Sequence, residues 1–208
     1  MTTDDFDAVI LADGAFPTHS IPLAKLGAGR PVVCCDGAAD KMLARGLQPT
    51  YVVGDLDSIS PEGVAKLAGR LHRVEEQDTN DLAKAFRFCL KRGWRNLVLL
   101  GISGNREDHT IGNLSHLVDF AKRAKITAYT DTGVFVPLIR SGVMPSRPGQ
   151  AVSIFSFEPG LKVYAEGLRY SLDGVPFDRW WNATLNVAQA DKITLTFMGG
   201  PLLVFMAY

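Results

Sequence analysis

The chain has 208 residues, of which 47% are hydrophobic and 21% charged, a composition that excludes disordered, collagen-like and coiled-coil proteins. Its 22 basic and 22 acidic residues balance, so no net charge attracts a polyanion, and we expect neither nucleic acid nor a membrane as partner. Three cysteines without C-x-x-C spacing, and an acidic N-terminus where a signal peptide would be basic, indicate a reduced, cytoplasmic protein.

Short apolar runs alternate with helical patterns over the first two thirds of the chain. The runs without polar alternation, typical of strands covered on both faces, are 8–11, 31–35, 51–53 and 97–100. Helices are predicted at 37–46, 61–69, 80–93 and 109–124, and a further strand at 126–130. This alternation predicts an α/β domain with a parallel, Rossmann-like sheet.

From about Val134 the pattern changes to short strand-like runs separated by Gly and Pro. These runs are 150–157, 161–165, 168–172, 193–197 and 202–206. With no helical pattern between them, they predict a small antiparallel β-sandwich. We therefore expect an α/β domain at 1–140 and a β-sandwich domain at 141–208, with the junction segment near 144–149.

Acidic residues follow the predicted parallel strands, at the edge where open parallel sheets bind ligands. The residues at these positions are Asp13, Asp36, Asp55, Asp57 and, after the strand that ends at residue 100, Asp108. Because the carboxyl ends of parallel strands meet at one edge, these side chains indicate a polar ligand site there.

The sharpest of these patterns is Asp55-Leu56-Asp57. If the chain stays extended past Gly54, the period of two places both carboxylates on one side and Leu56 on the other. Two like charges ~4 Å apart repel by about 1 kcal/mol in water and about 4 kcal/mol at an effective dielectric of 20. A hard divalent cation would offset this repulsion. A solvated acidic turn explains the pair equally well.

A second acidic segment, Gln77-Asp78-Thr79-Asn80-Asp81, precedes the third predicted helix. Asp78 or Thr79 could simply cap that helix, and Asp81 would then interact favourably with the helix dipole. A ligand-binding role is the alternative. Lys84, one turn beyond Asp81, is either its i,i+3 partner or a phosphate ligand.

The loop after residue 100 carries Gly101 and Gly104 and leads into the fourth predicted helix. Such a loop can present backbone N–H groups to phosphate, and Arg106 adds a planar charged donor. The loop has neither G-x-G-x-x-G nor P-loop spacing. His109 is either a ligand or a capping, internally satisfied histidine.

Four motifs, in this order and at these separations, resemble those of thiamine pyrophosphokinases. They are Cys35–Ala38, Gly54–Ser58, Gln77–Asp81 and Arg106–His109. Near the C-terminus, residues 167–172 and 201–203 are similar to the family's G-L-K-Y-P-L segment and terminal strand. The resemblance covers the first two thirds closely and the remainder by architecture.

The resemblance implies transfer of pyrophosphate from ATP to the hydroxyethyl group of thiamine, with Mg²⁺, in a homodimer whose active site lies between subunits. The catalytic and metal-binding residues that it implies are Asp55, Asp57 and Asp81. The residues assigned to the ATP site are Asp36, Gln77, Asp78, Lys84, Arg106, Asp108 and His109.

Two segments depart from the family pattern. The G-G-R-L-D-H loop here reads G-N-R-E-D-H, and Asn105 replaces a glycine with a residue that tolerates left-handed backbone angles. The S-x-S-N segment reads A-T-L-N, which retains Asn186 and lacks both serines. We assign Thr184, Asn186 and Trp180 to the substrate site. Trp180 and its neighbour Trp181 either stack on thiamine or serve only in packing.

Two other functions remain open on the sequence. One is a D-x-D metal-dependent transferase that acts on a nucleotide sugar or on another alcohol that accepts pyrophosphate. The other is a non-catalytic nucleotide- or thiamine-binding module, against which the intact Asp55, Asp57, Asp81 and Asp108 argue. Incubation with ATP, Mg²⁺ and a panel of alcohols would distinguish the three.

Overall fold

The computed structural model describes residues 5–173 and 175–208. The chain divides into two compact units, the first comprising Met1–His116 with Arg123–Asp131 and the second Leu117–Lys122 with Thr132–Tyr208. This division differs from the predicted boundary after residue 140, because Gly133–Leu138 pairs with strand Leu202–Ala207. Among the described residues, no helix combines the length and the apolar character needed to cross a bilayer.

The first unit is built on parallel strands with helices between them. Its described strands are β1 Ala8–Leu11, β2 Val32–Cys35, β3 Tyr51–Gly54, β4 Leu71–Arg73, β5 Asn96–Leu100 and β6 Lys125–Tyr129. The helices are α1 Ser20–Leu26, α2 Ala38–Leu43, α3 Pro61–Leu67, α4 Asp81–Lys91 and α5 Glu107–Ala121, of which α5 belongs to this unit as far as His116. These strands pair in parallel in the order β4-β3-β2-β1-β5-β6, which confirms the predicted sheet.

The central strands carry no polar alternation because both of their faces are covered. Every residue of β1 and β2 is buried, and so are the last four residues of β5. Since the strands run in parallel, the loops that start at Ala12, Asp36, Asp55 and Gly101 all leave from one edge of the sheet. That edge carries the candidate site.

Two elements of the first unit escape the sequence pattern. Strand β4 has three residues, none of them fully buried, so it produces no apolar run. Helix α1 is seven residues long with Pro22 in its first turn, which is too short for a clear helical period. The edge position of β4 explains why it tolerates a charged residue such as Arg73.

The second unit contains two antiparallel sheets. Its strands are β7 Gly133–Leu138, β8 Gly142–Pro145, β9 Ala151–Ser156, β10 Val163–Glu166, β11 Ala183–Val187, β12 Lys192–Phe197 and β13 Leu202–Ala207. One sheet has the order β7-β13-β9-β11 and the other β8-β12-β10. Residues of both sheets, including Ile154, Leu195 and Val204, share one hydrophobic core, as expected of a β-sandwich.

Two expectations for the second unit are wrong in detail. Residues 168–172 form no strand, since only Leu168 makes an isolated bridge, and Tyr170 bonds instead to the side chain of Asn186. The expected junction at 144–149 begins inside β8, because Met144 and Pro145 pair with β12. Strands β7, β8 and β11 were not predicted. Strand β11 is irregular, with Leu185 at φ +60°.

Candidate active site

Three carboxylates from two neighbouring strand ends form an acidic group at the carboxyl edge of the first unit. Asp36 follows β2, and Asp55 and Asp57 follow β3. Each offers an oxygen that lies within 4.8 Å of the other two. Asp36 is buried, Asp55 half-buried and Asp57 exposed, so the group opens towards solvent on one side.

A turn, rather than an extended strand, brings Asp55 and Asp57 together. Leu56 lies between them at φ +69°, in the left-handed region, so the expectation of extended backbone past Gly54 is wrong. The N–H of Asp57 donates to Oδ1 of Asp55 at 3.3 Å. Leu56 packs against the hydrophobic core of the unit, which fixes the turn from the other side.

Asp36 is the buried member of the group and is incompletely paired. Its Oδ2 accepts the N–H of Ser58 at 3.2 Å, whereas its Oδ1 is buried and has no hydrogen-bond partner among the described residues. Burial raises the pKa of Asp36 to about 6. The hydrogen bond from Ser58 lowers this pKa, whereas the negative charges of Asp81, Asp55 and Asp57 raise it further. An unpaired buried carboxylate oxygen beside two more carboxylates is a donor set that suits a hard divalent cation.

Lys84 of α4 joins the second acidic segment to this group. Its Nζ lies 3.0 Å from Oδ1 of Asp81 and 3.7 Å from Oδ2 of Asp55, and its side chain is only 3% exposed. Burial alone would lower the pKa of Lys84, but the hydrogen bond and charge of Asp81, with the charge of Asp55, raise it overall. Lys84 is thus both the i,i+3 partner of Asp81 and a buried cation beside the acidic group.

Gln77 completes the surroundings of Asp55. Its Nε2 donates to Oδ2 of Asp55 at 3.0 Å, and this bond is the largest cause that lowers the pKa of Asp55 to about 2.

Asp81 lies outside the group of three carboxylates, and burial raises its pKa. The structure therefore places Asp36, rather than Asp81, with Asp55 and Asp57.

Asn80 caps α4, so the expectation that Asp78 or Thr79 does so is wrong. Oδ1 of Asn80 accepts the N–H of Ala83 at 3.0 Å. Asp81 follows as the first helical residue, where a carboxylate interacts favourably with the dipole. Asp78 is exposed and does not line the cavity described below.

The loops after β1 and β5 approach each other so closely that glycine is required. A Cβ on Gly14 would lie 2.2 Å from the carbonyl oxygen of Gly101, and one on Gly104 (φ +94°) would lie 2.5 Å from the Cβ of Ala15. Asn105, which replaces a family glycine, does not adopt the left-handed conformation. Its Nδ2 instead donates to the carbonyl of Asp13 at 2.7 Å and ties the two loops together.

Arg106 and Asp108 form an exposed bidentate pair at the start of α5. Nε of Arg106 lies 3.1 Å from Oδ1 of Asp108, and a second N–H bonds to Oδ2. This hydrogen-bonded pairing lowers the pKa of Asp108 and raises that of Arg106. His109, whose N–H donates to Asp108, follows directly.

These segments enclose a cavity of about 270 Å³ within the first unit. The predicted site residues that line it are Asp55, Gln77, Asp81, Lys84, Arg106 and His109. Asp36 and Asp57 do not line it, although each offers an oxygen within 4.8 Å of an oxygen of Asp55, which does. Asp108 does not line it either and is paired with Arg106. The cavity thus collects residues from five separate chain segments, within 12–14, 35, 55–58, 77–84 and 102–113.

Three asparagines of this cavity, Asn80, Asn105 and Asn113, are not among the predicted site residues. An isolated asparagine has no charge pattern or period that marks it in a sequence. Only the position of Asn80, directly before the first helical residue, could have indicated a cap. Asn113 lies in α5 and is buried, and nothing local distinguishes it.

The predicted substrate residues lie in the second unit, where two of them have well-defined surroundings. Asn186 is buried, and its Oδ1 accepts from the N–H groups of Tyr170 (3.1 Å) and Val187 (2.8 Å), while its Nδ2 donates to the carbonyl of Tyr170 (2.8 Å). Trp180 is 50% exposed and stacks on Phe155 and Phe157, with ring centroids at 5.6 and 6.2 Å. Thr184 is partly exposed in β11.

A parallel α/β unit with an acidic carboxyl edge, followed by an all-β unit, is a fold that this chain shares with solved structures of pyrophosphokinases. The thiamine pyrophosphokinase of Bacillus subtilis superposes with a TM-score of 0.78 at 20% identity, over 97% of this chain and 98% of that one. The thiamin pyrophosphokinase of Candida albicans gives 0.78 at 13% identity, over 100% and 95%. At these identities the likeness is one of fold.

Family models carry the assignment further. The catalytic domain of thiamin pyrophosphokinase matches residues 27–130, and the substrate-binding domain of the same enzyme matches residues 133–205. The chain therefore belongs to the thiamin pyrophosphokinase family.

Two curated relatives are similar over part of their length. Thiamin pyrophosphokinase 1 of Caenorhabditis elegans is 36% identical over 97 residues, which is 42% of this chain and 40% of the relative. Thiamine pyrophosphokinase of Bacillus subtilis is 34% identical over 80 residues, which is 36% of this chain and 37% of the relative. The matched segments thus span two fifths or less of these relatives.

Proposed function

We propose that this protein transfers pyrophosphate from ATP to the hydroxyethyl group of thiamine and releases AMP. Membership of the family supports this activity. The observation that carries it is the clustering of Asp36, Asp55 and Asp57 beside the buried Lys84, at the edge of a cavity of about 270 Å³. A site with carboxylates for a cation and cations for phosphates suits a metal–triphosphate substrate.

Mg²⁺ is the cation that this acidic group would hold. Asp36 contributes the unpaired buried Oδ1, and Asp55 and Asp57 contribute oxygens within 4.8 Å of it. Asp81, whose Oδ1 lies 3.0 Å from Nζ of Lys84, is a further carboxylate near this group. When bound, Mg²⁺ would neutralise charge on the phosphate oxygens and orient the transferred group.

The cationic side chains would bind the triphosphate from two directions. The ion pairs of Lys84 with Asp81 and Asp55 fix the position of its ammonium group before substrate binds. Arg106 is paired with Asp108, and a guanidinium that binds a carboxylate through two N–H groups presents the same fork to a phosphate. We expect Arg106 to exchange Asp108 for phosphate in the complex.

The thiamine hydroxyl would attack the β-phosphorus. As the new O–P bond forms, the bond from the β-phosphorus to the oxygen that bridges it to the α-phosphorus breaks, and AMP leaves with that electron pair. Asp81, whose pKa is raised by burial, is our candidate to accept the hydroxyl proton. Positioning and electrostatics would supply most of the acceleration.

Further features support the remaining parts of the proposal. Trp180 offers a half-exposed aromatic face for thiamine in the unit that matches the substrate-binding domain. Leu185 and Met198, 85% and 89% exposed, are candidates for a homodimer interface. The free, buried thiols of the three cysteines support a reducing compartment such as the cytoplasm.

Product analysis tests the proposal directly. The protein is incubated with ATP, Mg²⁺ and thiamine, and nucleotides and thiamine esters are separated by chromatography. We expect AMP and thiamine diphosphate in equal amounts, no thiamine monophosphate, and loss of turnover on chelation of the metal. ADP with thiamine monophosphate would show that the γ-phosphoryl group moves and would refute the proposed chemistry. Light scattering should give a particle of twice 22.6 kDa, and an active monomer would refute the homodimer.

A further inference from the structure

Asn113 of α5 is a buried side chain that hydrogen-bonds to two different segments of the site. Its Nδ2 donates to the carbonyl of Ile102 at 2.9 Å, and its Oδ1 accepts from Nδ2 of Asn80 at 3.2 Å. It is one of few buried polar side chains among the described residues of the chain, with 8% of its surface exposed. Both bonds cross from α5 to other elements, so they do not serve α5 itself.

The donors and acceptors of this chain of bonds can be arranged in one way only. Oδ1 of Asn80 is committed to the N–H of Ala83 as the cap of α4, so its Nδ2 must face Asn113. Asn113 must then present Oδ1 to Asn80 and Nδ2 to the other side, where the Ile102 carbonyl accepts it. Each amide is therefore oriented by the next, as in other cooperative hydrogen-bond networks.

The two residues that Asn113 connects, Asn80 and Ile102, belong to two different segments that line the cavity. Asn80 immediately precedes Asp81, with Lys84 one turn further along α4. Ile102 immediately precedes Ser103, and Ser103, Asn105 and Arg106 also line the cavity. A single buried amide thus connects the segment that carries Asp81 and Lys84 to the segment that carries Arg106.

We propose that Asn113 is a positioning residue that couples the start of α4 to the Gly101–Arg106 loop, so that these two segments hold the triphosphate in one geometry. This inference rests on the proposed function. Lys84 and Arg106 act on the same substrate from different segments, and displacement of a reacting group by ~1 Å can reduce a rate by about 100-fold. Loss of the link should therefore lower kcat more than it raises KM.

Two substitutions break the link from opposite ends. Asn80→Ser retains a capping oxygen for Ala83 and removes the amide donor to Asn113. Asn113→Asp is isosteric, retains the acceptor for Asn80, and sets an oxygen against the Ile102 carbonyl. For each, we expect kcat to fall by about 10- to 100-fold with less than about a threefold change in KM for ATP. The double variant should be little worse than the poorer single variant, because both remove one connection.

Amide hydrogen exchange supplies a readout that does not depend on turnover. In Asn80→Ser, exchange over residues 101–106 should rise several-fold, although the substitution lies in another segment. Ser115→Ala is the matched control, because Ser115 bonds only within α5, to the carbonyl of Gly112, and should change neither exchange nor kinetics.

The outcomes separate this inference from the proposed function. Unchanged exchange over 101–106 in Asn80→Ser, or a rise in KM with kcat intact in both variants, would overturn the coupling. If the wild-type protein makes no thiamine diphosphate, the proposed function fails, and the exchange measurement alone then decides whether the link exists.

Discussion

Two buried polar side chains, Asp36 in the first unit and Asn186 in the second, differ in whether their hydrogen bonds are complete. In the first unit, Asp36 is buried with one carboxylate oxygen unpaired, next to two further carboxylates. In the second unit, Asn186 is buried with both ends of its amide satisfied by the backbone. Because an unpaired buried polar atom costs free energy, the open oxygen of Asp36 beside two more carboxylates favours a bound cation, whereas the satisfied amide of Asn186 favours a role in the fold.

The accessible residues of the two units also differ in polarity. In the second unit, aromatic and aliphatic residues stand in solvent, among them Trp180, Trp181 and Leu185. In the first unit, the residues that line the cavity are mostly polar or charged. We therefore expect substitutions in the first unit to affect chemistry, and those in the second to affect stability, thiamine affinity or assembly.

The largest effect is expected from Asp57→Asn. Asp57 is exposed, so the change removes one charge with little effect on the fold. If the acidic group holds the cation, kcat/KM should fall by about 100-fold or more, because the metal supplies several kcal/mol of charge stabilisation. The melting temperature of the metal-free protein should stay the same or rise, since repulsion within the group is relieved.

Asp119→Asn is the matched control for that experiment. Asp119 is also an exposed carboxylate, paired with Lys122 at 2.8 Å and not part of the acidic group. Its substitution should leave turnover unchanged. Wild-type turnover of Asp57→Asn at limiting Mg²⁺ would contradict a role for Asp57 and weaken the contrast between the units.

The next effect is on stability, from Asn186→Ala. The substitution leaves the N–H groups of Tyr170 and Val187, and the Tyr170 carbonyl, without their partner. Unsatisfied buried groups cost about 1–3 kcal/mol each where water cannot reach them, so the free energy of unfolding should fall by about 2 kcal/mol or more in urea titrations. A raised KM for thiamine with unchanged stability would instead show that Asn186 binds substrate.

Much of the fold is predictable because its determinants are local. The runs at 8–11 and 97–100 are continuous and apolar since their strands are buried on both faces, and β1 and β5 match them closely. The short edge strand β4 and the segment 168–172 defeat the same reasoning. The first is only partly buried, and the second is held by a side chain from β11 rather than by a ladder.

Some features of the site are likewise predictable from the sequence, and others are not. The positions of Asp36, Asp55 and Asp57 follow from strand ends, which the sequence reveals. The turn at Leu56 does not, because its left-handed conformation depends on packing of Leu56 against the distant core. Nor does the link through Asn113, whose partners are 33 and 11 residues away in the chain.

A smaller effect is expected from Trp180→Ala. Removal of the ring that stacks on Phe155 and Phe157 should raise KM for thiamine by about tenfold, the size of one cation–π or stacking contact, with kcat little changed. Trp180→Phe should recover most of the loss. Tyr164→Ala is the control, since Tyr164 is 55% exposed on the other sheet of the unit. Unchanged kinetics in Trp180→Ala would assign the ring to packing alone.

The smallest effect concerns an aromatic cluster of the first unit, which differs from the stack of Trp180, Phe155 and Phe157 in the second unit by containing a histidine. The His72 ring lies 5.3 Å from that of Tyr51 and 4.8 Å from that of Phe88, and the Arg92 guanidinium lies 4.0 Å above the Tyr51 ring. Burial first, and then the charge of Arg92, lower the pKa of His72 from its usual 6.5. The unfolded chain therefore binds a proton at this residue more readily than the folded one.

Stability linked to His72 should consequently be complete above pH 6.5 and decrease as the pH falls below that value, through the lowered pKa of the folded state. His72→Phe keeps an aromatic ring and cannot titrate, so its urea midpoint should fall less than that of the wild type between pH 7.5 and pH 5.5. Titrating groups common to both proteins, including Asp36, cancel in this difference. Equal responses to acid would show that folding leaves the pKa of His72 unchanged, and a wild type that gains stability relative to the variant would show that folding raises this pKa; either result would contradict the prediction.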